Sequence, residues 1–180
     1  MSSAPRRGPL GMTEPQIERR PPLPYLGITG RITDGVPAFA DQVFPELFGW
    51  LREHGVEPGG APFIRFRQLD PQGEPLEIEV GVPVDGTPEG DERVRPGALP
   101  AGRYLTLMHI GPYRSDTLPD LAAARKRLID SADKQGLIYS RETDGGSTLP
   151  CCLERYLVGP VDEPDFTKWE TEFAYLLLDD

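Results

Sequence analysis

The chain has 180 residues, the size of one domain or two small fused halves, and 38% of them are hydrophobic, including seven Phe, six Tyr and two Trp; that is enough apolar material for a packed core and excludes general disorder. A formal charge of −10 without any block of Lys and Arg excludes the phosphate backbone of nucleic acid as main partner and makes a cationic ligand the charge-matched one. No apolar run reaches the roughly 20 residues of a membrane helix, and the N-terminus lacks the apolar segment of a secretion signal.

Residues 1–13 carry no periodicity and include a second Met at position 12. They read as a disordered leader or an expression scar, leaving 14–180 as a single domain. "LPYLGITGRIT", from residue 23, is a strand. "PAFADQVFPELFGWLREHG" follows as a helix, because Phe39, Val43, Leu47 and Leu51 share one face and Gly55 can end it. Pro45 predicts a kink there, or a helix that starts at Pro45. "PFIRFRQLD" and "PLEIEVGVPVD" are strands. In the second, Leu76, Ile78, Val80 and Val82 point one way and Glu77, Glu79 and Gly81 the other. The polar Gly/Pro stretch 86–99 is the natural linker between a first half, about 23–85, and a second half, about 100–180.

The second half repeats the order. "GRYLTLMHIGPY" is a strand, and "LPDLAAARKRLIDSADKQG" is a helix with Asp116 or Thr117 as cap, Pro119 in its first turn and Gly136 at its end. "LIYSRE" and "CLERYLVGPVD" are strands, and "KWETEFAYLLLDD" is a final one with Trp169, Thr171, Phe173, Tyr175 and Leu177 on one face. Two βαββ units bury little alone but together form one sheet covered by two helices. Aligning the halves on their shared "PVD" sets Glu77 opposite Glu154, so that two acids would converge on a cleft at the junction.

The adjacent pair Cys151 and Cys152 neither frames a disulfide scaffold nor makes a CxxC metal site. His54 and His109 lack metal-ligand spacing, "GITGRITDGV" follows no nucleotide-loop pattern, and no GxSxG or Cys-His arrangement occurs. The reading is therefore of a cytoplasmic protein without metal or cofactor.

In "RYLTLMHIGPY", "ADKQG", "LERYLVGPVD" and "KWETEFAYLLL", taken in order and spacing, the chain resembles the GyrI-like small-molecule-binding family over about residues 14–178. That family includes the effector-binding domains of BmrR and of Rob-type AraC regulators. The resemblance implies an α+β fold of duplicated βαββ (SHS2-like) units about a pseudo-twofold axis. It also implies an antiparallel sheet with two main helices and a ligand cleft at the junction. Such clefts hold a buried glutamate among aromatic walls and bind bulky, flat, lipophilic cations, a multidrug-binding chemistry. Aromatic faces attract positive charge at about 0.5–2 kcal/mol per contact, and a desolvated carboxylate adds a poorly directional attraction.

By the resemblance, Glu154 is the central pocket acid, with Tyr156, Trp169 and Tyr113 as stacking walls. Ile28 and Gly30 on the first strand, Phe39 on the first helix and Glu77 complete the candidate ligand-binding set. Two departures stand out. No DNA-binding domain precedes the matching region, so the chain is expected to be a stand-alone binding protein. Tyr156 replaces an aliphatic residue, setting a hydroxyl beside the acid. Some stand-alone family members hydrolyse strained cyclopropane-containing genotoxins, which makes Glu154 and Tyr156 the candidate catalytic pair of an alternative, hydrolytic reading. Others modulate DNA gyrase, a third reading in which a protein is the partner.

Overall fold

The alternating apolar residues of the two halves meet in one sheet. The computed structural model, which describes residues 11–179, contains β1 (Gly11–Met12), β2 (Gln16–Arg20), β3 (Leu23–Arg31), α1 (Val36–Glu53), β4 (Phe63–Leu69) and β5 (Pro75–Pro83). There follow β6 (Arg95–Leu99), β7 (Gly102–Ile110), α2 (Leu121–Gln135), β8 (Arg141–Thr143), β9 (Gly146–Val158) and β10 (Glu170–Leu176). The sheet order is β1-β7-β10-β9-β4-β5-β3-β6, with β2 also on β7 and β8 on β9, and these pairings are antiparallel. The fold is α+β, and its halves join along β4 and β9.

Strand periodicity sorts the side chains onto two faces. One in-register row runs Ile28, Val80, Ile64, Glu154, Phe173 and Leu107 across six strands. This face lies under the helices, where Val43, Leu47 and Leu51 of α1 and Ala124, Leu128 and Ala132 of α2 close the main core. The other face carries a second core of Tyr25, Phe63, Leu99, Tyr104, Cys151, Leu153 and Ala174. Tyr25 meets Phe63 edge-on at 5.1 Å.

A crossed ribbon encloses that second core. Arg20 faces Gly102 and, beyond a proline-rich interruption, Leu23 faces Leu99. The pairing of 16–27 with 95–106 therefore keeps one register throughout. Pro21, Pro22 and Pro100 have no backbone N–H to donate, so the ladder breaks where the ribbon bends. Each long strand thereby passes from one end of the sheet to the other, and both ends curl over the face opposite the helices.

Glu172 fastens this closure. It accepts from Arg20 of β2 at 2.8 and 2.9 Å and from Arg155 of β9 at 2.8 Å. Burial opposes its charge, but the two guanidiniums outweigh burial and hold its carboxyl below the usual glutamate range. A depressed folded value contributes stability that is fully present above the unfolded value, about 4.3, and is lost as pH falls through the folded one. The melting-temperature gap between wild type and Glu172→Gln should thus be widest near neutral pH and start to narrow as pH falls through about 4.3; a gap independent of pH would contradict the assignment.

Several sequence expectations change. Residues 11–13, assigned to the leader, begin the sheet: Gly11 and Met12 pair with Ile110 and His109, while residues 1–10 lie outside the described ones. Strand β2 leaves no mark in the sequence pattern, because "QIERR" is too polar to show alternation. The 86–99 stretch is not only a linker, since its end forms β6 and Val94 is fully buried. Helix α1 runs unbroken through Pro45 from Val36. Helix α2 is capped by Asp120, whose carboxylate accepts from Ala123 N at 3.1 Å, not by Asp116 or Thr117. The "LIYSRE" strand shrinks to β8, a hairpin arm paired with β9.

The acid alignment also fails. Glu77 lies on β5, which β4 separates from β9, and it shares the parity of Glu79 on the face away from the helices. Its side chain is partly exposed and 3.8 Å from Arg67. Glu77 and Glu154 do not converge.

Candidate functional site

Glu154 sits in the middle of β9 on the helix-covered face, between Ile64 of β4 and Phe173 of β10. It is 2% exposed. A carboxylate so placed needs partners, and two side chains supply them. Arg125 of α2 donates from Nε at 3.1 Å and also from Nη2, both to Oε1. The Tyr156 hydroxyl, two residues on along the same face, donates to Oε2 at 3.1 Å. The Arg125 guanidinium lies over the rings of Phe66 and Phe173, 5.8 and 5.9 Å from their centroids. Burial works against the Arg125 charge, but Glu154 outweighs it and raises the guanidinium pKa. Burial first, then the Glu154 charge, push the Tyr156 phenol well above its ordinary value, so it acts as a donor.

Aromatic rings roof this polar centre. Tyr113 lies 5.7 Å from Tyr156 and 4.7 Å from Trp169, while Phe44 of α1 meets Tyr156 edge-on at 6.1 Å and Phe48 stacks next to Phe44 at 6.4 Å. Local structure sets each ring. Trp169 follows the 3-10 turn Phe166–Lys168 and donates its indole N–H to the Glu163 carbonyl at 2.7 Å. Tyr113 stands in the loop after β7, which is tied down by Gly111 N on the Trp169 carbonyl at 2.9 Å and by the buried His109 ring, whose Nε2 is 3.0 Å from the Pro112 carbonyl. A Cβ on Gly159 would come within 2.8 Å of the Tyr113 hydroxyl, so the bare glycine lets that ring close down. Burial pushes the Tyr113 phenol up to about 12.

Of the sequence-derived residues, the fold thus brings together Glu154, Tyr156, Trp169 and Tyr113. It does not bring the rest. Ile28 shares the Glu154 row but three strands away, roughly 14 Å at the usual strand spacing, and is fully buried in the main core. Phe39 covers the place where a Cβ on Gly30 would lie, closing that end of β3. Glu77 is on the far face. Sequence reasoning missed Arg125 and Phe44. The signal for Arg125 was a cation amid the small residues of "LAAARKRL", placed one residue from the buried Ala124. Phe44 falls next to Val43 on the inward side of α1.

Among the described residues, no group of three or more His, Cys, Asp or Glu side chains could hold a metal ion, and no helix is long and apolar enough to cross a membrane.

The comparisons with known proteins agree with this architecture. The profile of the GyrI-like small molecule binding domain matches residues 13–174. The chain is similar to the C-terminal domain of EcmrR, with a TM-score of 0.72 at 14% identity over 93% of this chain and 98% of that one. It is similar to EcmrR in its complex with DNA, with a TM-score of 0.75 at 15% identity over 93% of this chain. There it spans 58% of the longer protein. A protein described as a hydrolase from Listeria innocua gives a TM-score of 0.57 at 15% identity, covering 95% of this chain and 94% of that one. At these identities the solved structures speak for the fold alone. No curated protein sequence matches the chain significantly.

Proposed function

Because the chain belongs to the GyrI-like small-molecule-binding family, we propose that it binds flat, lipophilic aromatic cations in the box formed by Phe44, Tyr113, Tyr156 and Trp169. Glu154 is the counter-charge, and the protein acts as a cytoplasmic binder that sequesters such molecules or reports on them. One observation carries the reading. The buried Glu154 carboxylate already holds a planar, delocalised cation, the Arg125 guanidinium, across two aromatic rings. Carboxylate and ring quadrupoles are the two attractions that a flat organic cation would use. Because the roof rings touch one another, such a ligand enters by turning the Tyr113 ring away from Tyr156 and Trp169 about its own side-chain bonds.

A fluorescence-anisotropy titration with rhodamine 6G tests the reading. Wild type should saturate, and Glu154→Gln, nearly the same shape without the charge, should weaken binding at least tenfold, or about 1.4 kcal/mol. Trp169→Ala should weaken it as well. Binding indifferent to both changes would sink the proposal.

A second reading rests on the Tyr156 hydroxyl bonded to Glu154. A carboxylate and a phenol in contact can pass a proton to or from a water that attacks an electrophile, and hydrolysis of strained electrophilic genotoxins would use them so. Tyr156→Phe would then abolish turnover of a cyclopropane-containing alkylator while sparing rhodamine binding. Equal decay with and without protein would end this reading.

A further inference from the structure

The group that makes the site recognisable is also in the way. Arg125 engages Glu154 through Nε and Nη2 on a single oxygen, and its guanidinium spreads over Phe66 and Phe173. A ligand cation seeking the same carboxylate and rings meets a like charge there. Yet the two partners are unequally committed. The Glu154 side chain is 3% exposed and fixed in a central strand, whereas that of Arg125 is 39% exposed on α2. Arg125 has a four-bond stem and water beside it, so it can leave the pair by rotating about its side-chain bonds; Glu154 cannot follow.

Resting on the aromatic-cation reading, we propose that Arg125 is a tethered competitor that occupies the ligand-cation position in the free protein and swings out to solvent when a ligand takes its place. The position then sets specificity. A guanidinium held by its own chain has an effective concentration that free small cations do not reach. An alkylammonium or a free guanidinium, which brings charge but little surface, loses to Arg125. A large aromatic cation adds stacking on Phe44, Tyr113 and Trp169, which Arg125 does not make, and wins. The site thus demands area and charge together. Neutral flat molecules, having no need of the carboxylate, bind under the roof without moving Arg125.

The test uses the full chain, rhodamine 6G as cation and coumarin 6 as uncharged dye, with circular dichroism to certify folding. Arg125→Gln should tighten rhodamine 6G at least tenfold and leave any coumarin 6 affinity within about twofold. Arg125→Lys guards against loss of fold, because it keeps the charge pair while a compact ammonium cannot spread over two rings; it should bind rhodamine 6G a few-fold tighter than wild type. In the double variant Glu154→Gln/Arg125→Gln the gain should vanish, since competition acts through the carboxylate. Folded Arg125→Gln and Arg125→Lys proteins that bind rhodamine 6G no better than wild type would overturn the inference and leave the aromatic box standing. If wild type and all variants ignore both dyes, the box itself falls and this inference with it.

Discussion

Arg125→Leu will destabilise the ligand-free protein by about 3 kcal/mol, while Glu154→Gln will cost about 1 kcal/mol or less. The two substitutions break the same ion pair, so the difference comes from what each leaves behind. Without Arg125, the Glu154 carboxylate stays on its central strand, 2% exposed, with only the Tyr156 hydroxyl bonded to it. A buried charge that has lost its counter-charge costs about 3–5 kcal/mol. Without Glu154, the exposed flank of Arg125 gives the guanidinium a route to water, and Gln still accepts from Tyr156. Urea unfolding of both variants measures the asymmetry. Equal losses would mean that Arg125 is as trapped as Glu154, which would also remove the route by which it yields to a ligand.

Phe63→Ala will cost about 4 kcal/mol. Phe63 is fully buried on the face that carries no helix. Its ring lies against the bare backbone of Gly81 on β5 and meets Tyr25 of β3 edge-on. Strand β4 is paired on both sides, with Gly81 and Arg155 flanking Phe63 in register. Its backbone therefore cannot close the space that the ring leaves, and cavity cost adds to lost burial. A measured loss under about 1.5 kcal/mol would show that the ribbon does not enclose a true second core.

Much of this was legible from residues alone, and the physical reasons are specific. Strands β5 and β10 alternate cleanly because each has one polar and one apolar face, so Ile78 and Val80, or Phe173 and Tyr175, could be placed on the helix side at once. The expected α+β class and the family followed from the order of such segments. Strands β2 and β6 were opaque for the opposite reason. They are short, polar or proline-broken edge segments, whose pairing depends on partners about eighty residues away in sequence. The shared "PVD" misled because matching letters equated β5 with β9, whereas in the sheet β9 pairs with β4 and β5 lies one strand beyond. In the candidate site, Glu154, Tyr156, Trp169 and Tyr113 are legible in the sequence through the family resemblance; the countercharge is not. Arg125 comes from a helix face and Glu154 from a strand, and no local periodicity announces a contact between elements.

The crossed ribbon has a consequence for how the molecule comes into being. During synthesis, residues 16–31 leave the ribosome long before residues 95–110, the stretch that pairs with both of their segments. Until then β3 has one partner, β5, and β2 has none. The early half waits with an open strand edge and an uncovered Phe63. Contacts of such high sequence separation form slowly, since loop closure must precede the contacts that reward it. Completion of β7 closes the ribbon but not the sheet, because β9 and β10, which join β7 to β4, are made last; the committing event for the whole chain is their insertion between the two ends. The halves acquire their stability jointly, and neither is a module that could be lent to another protein.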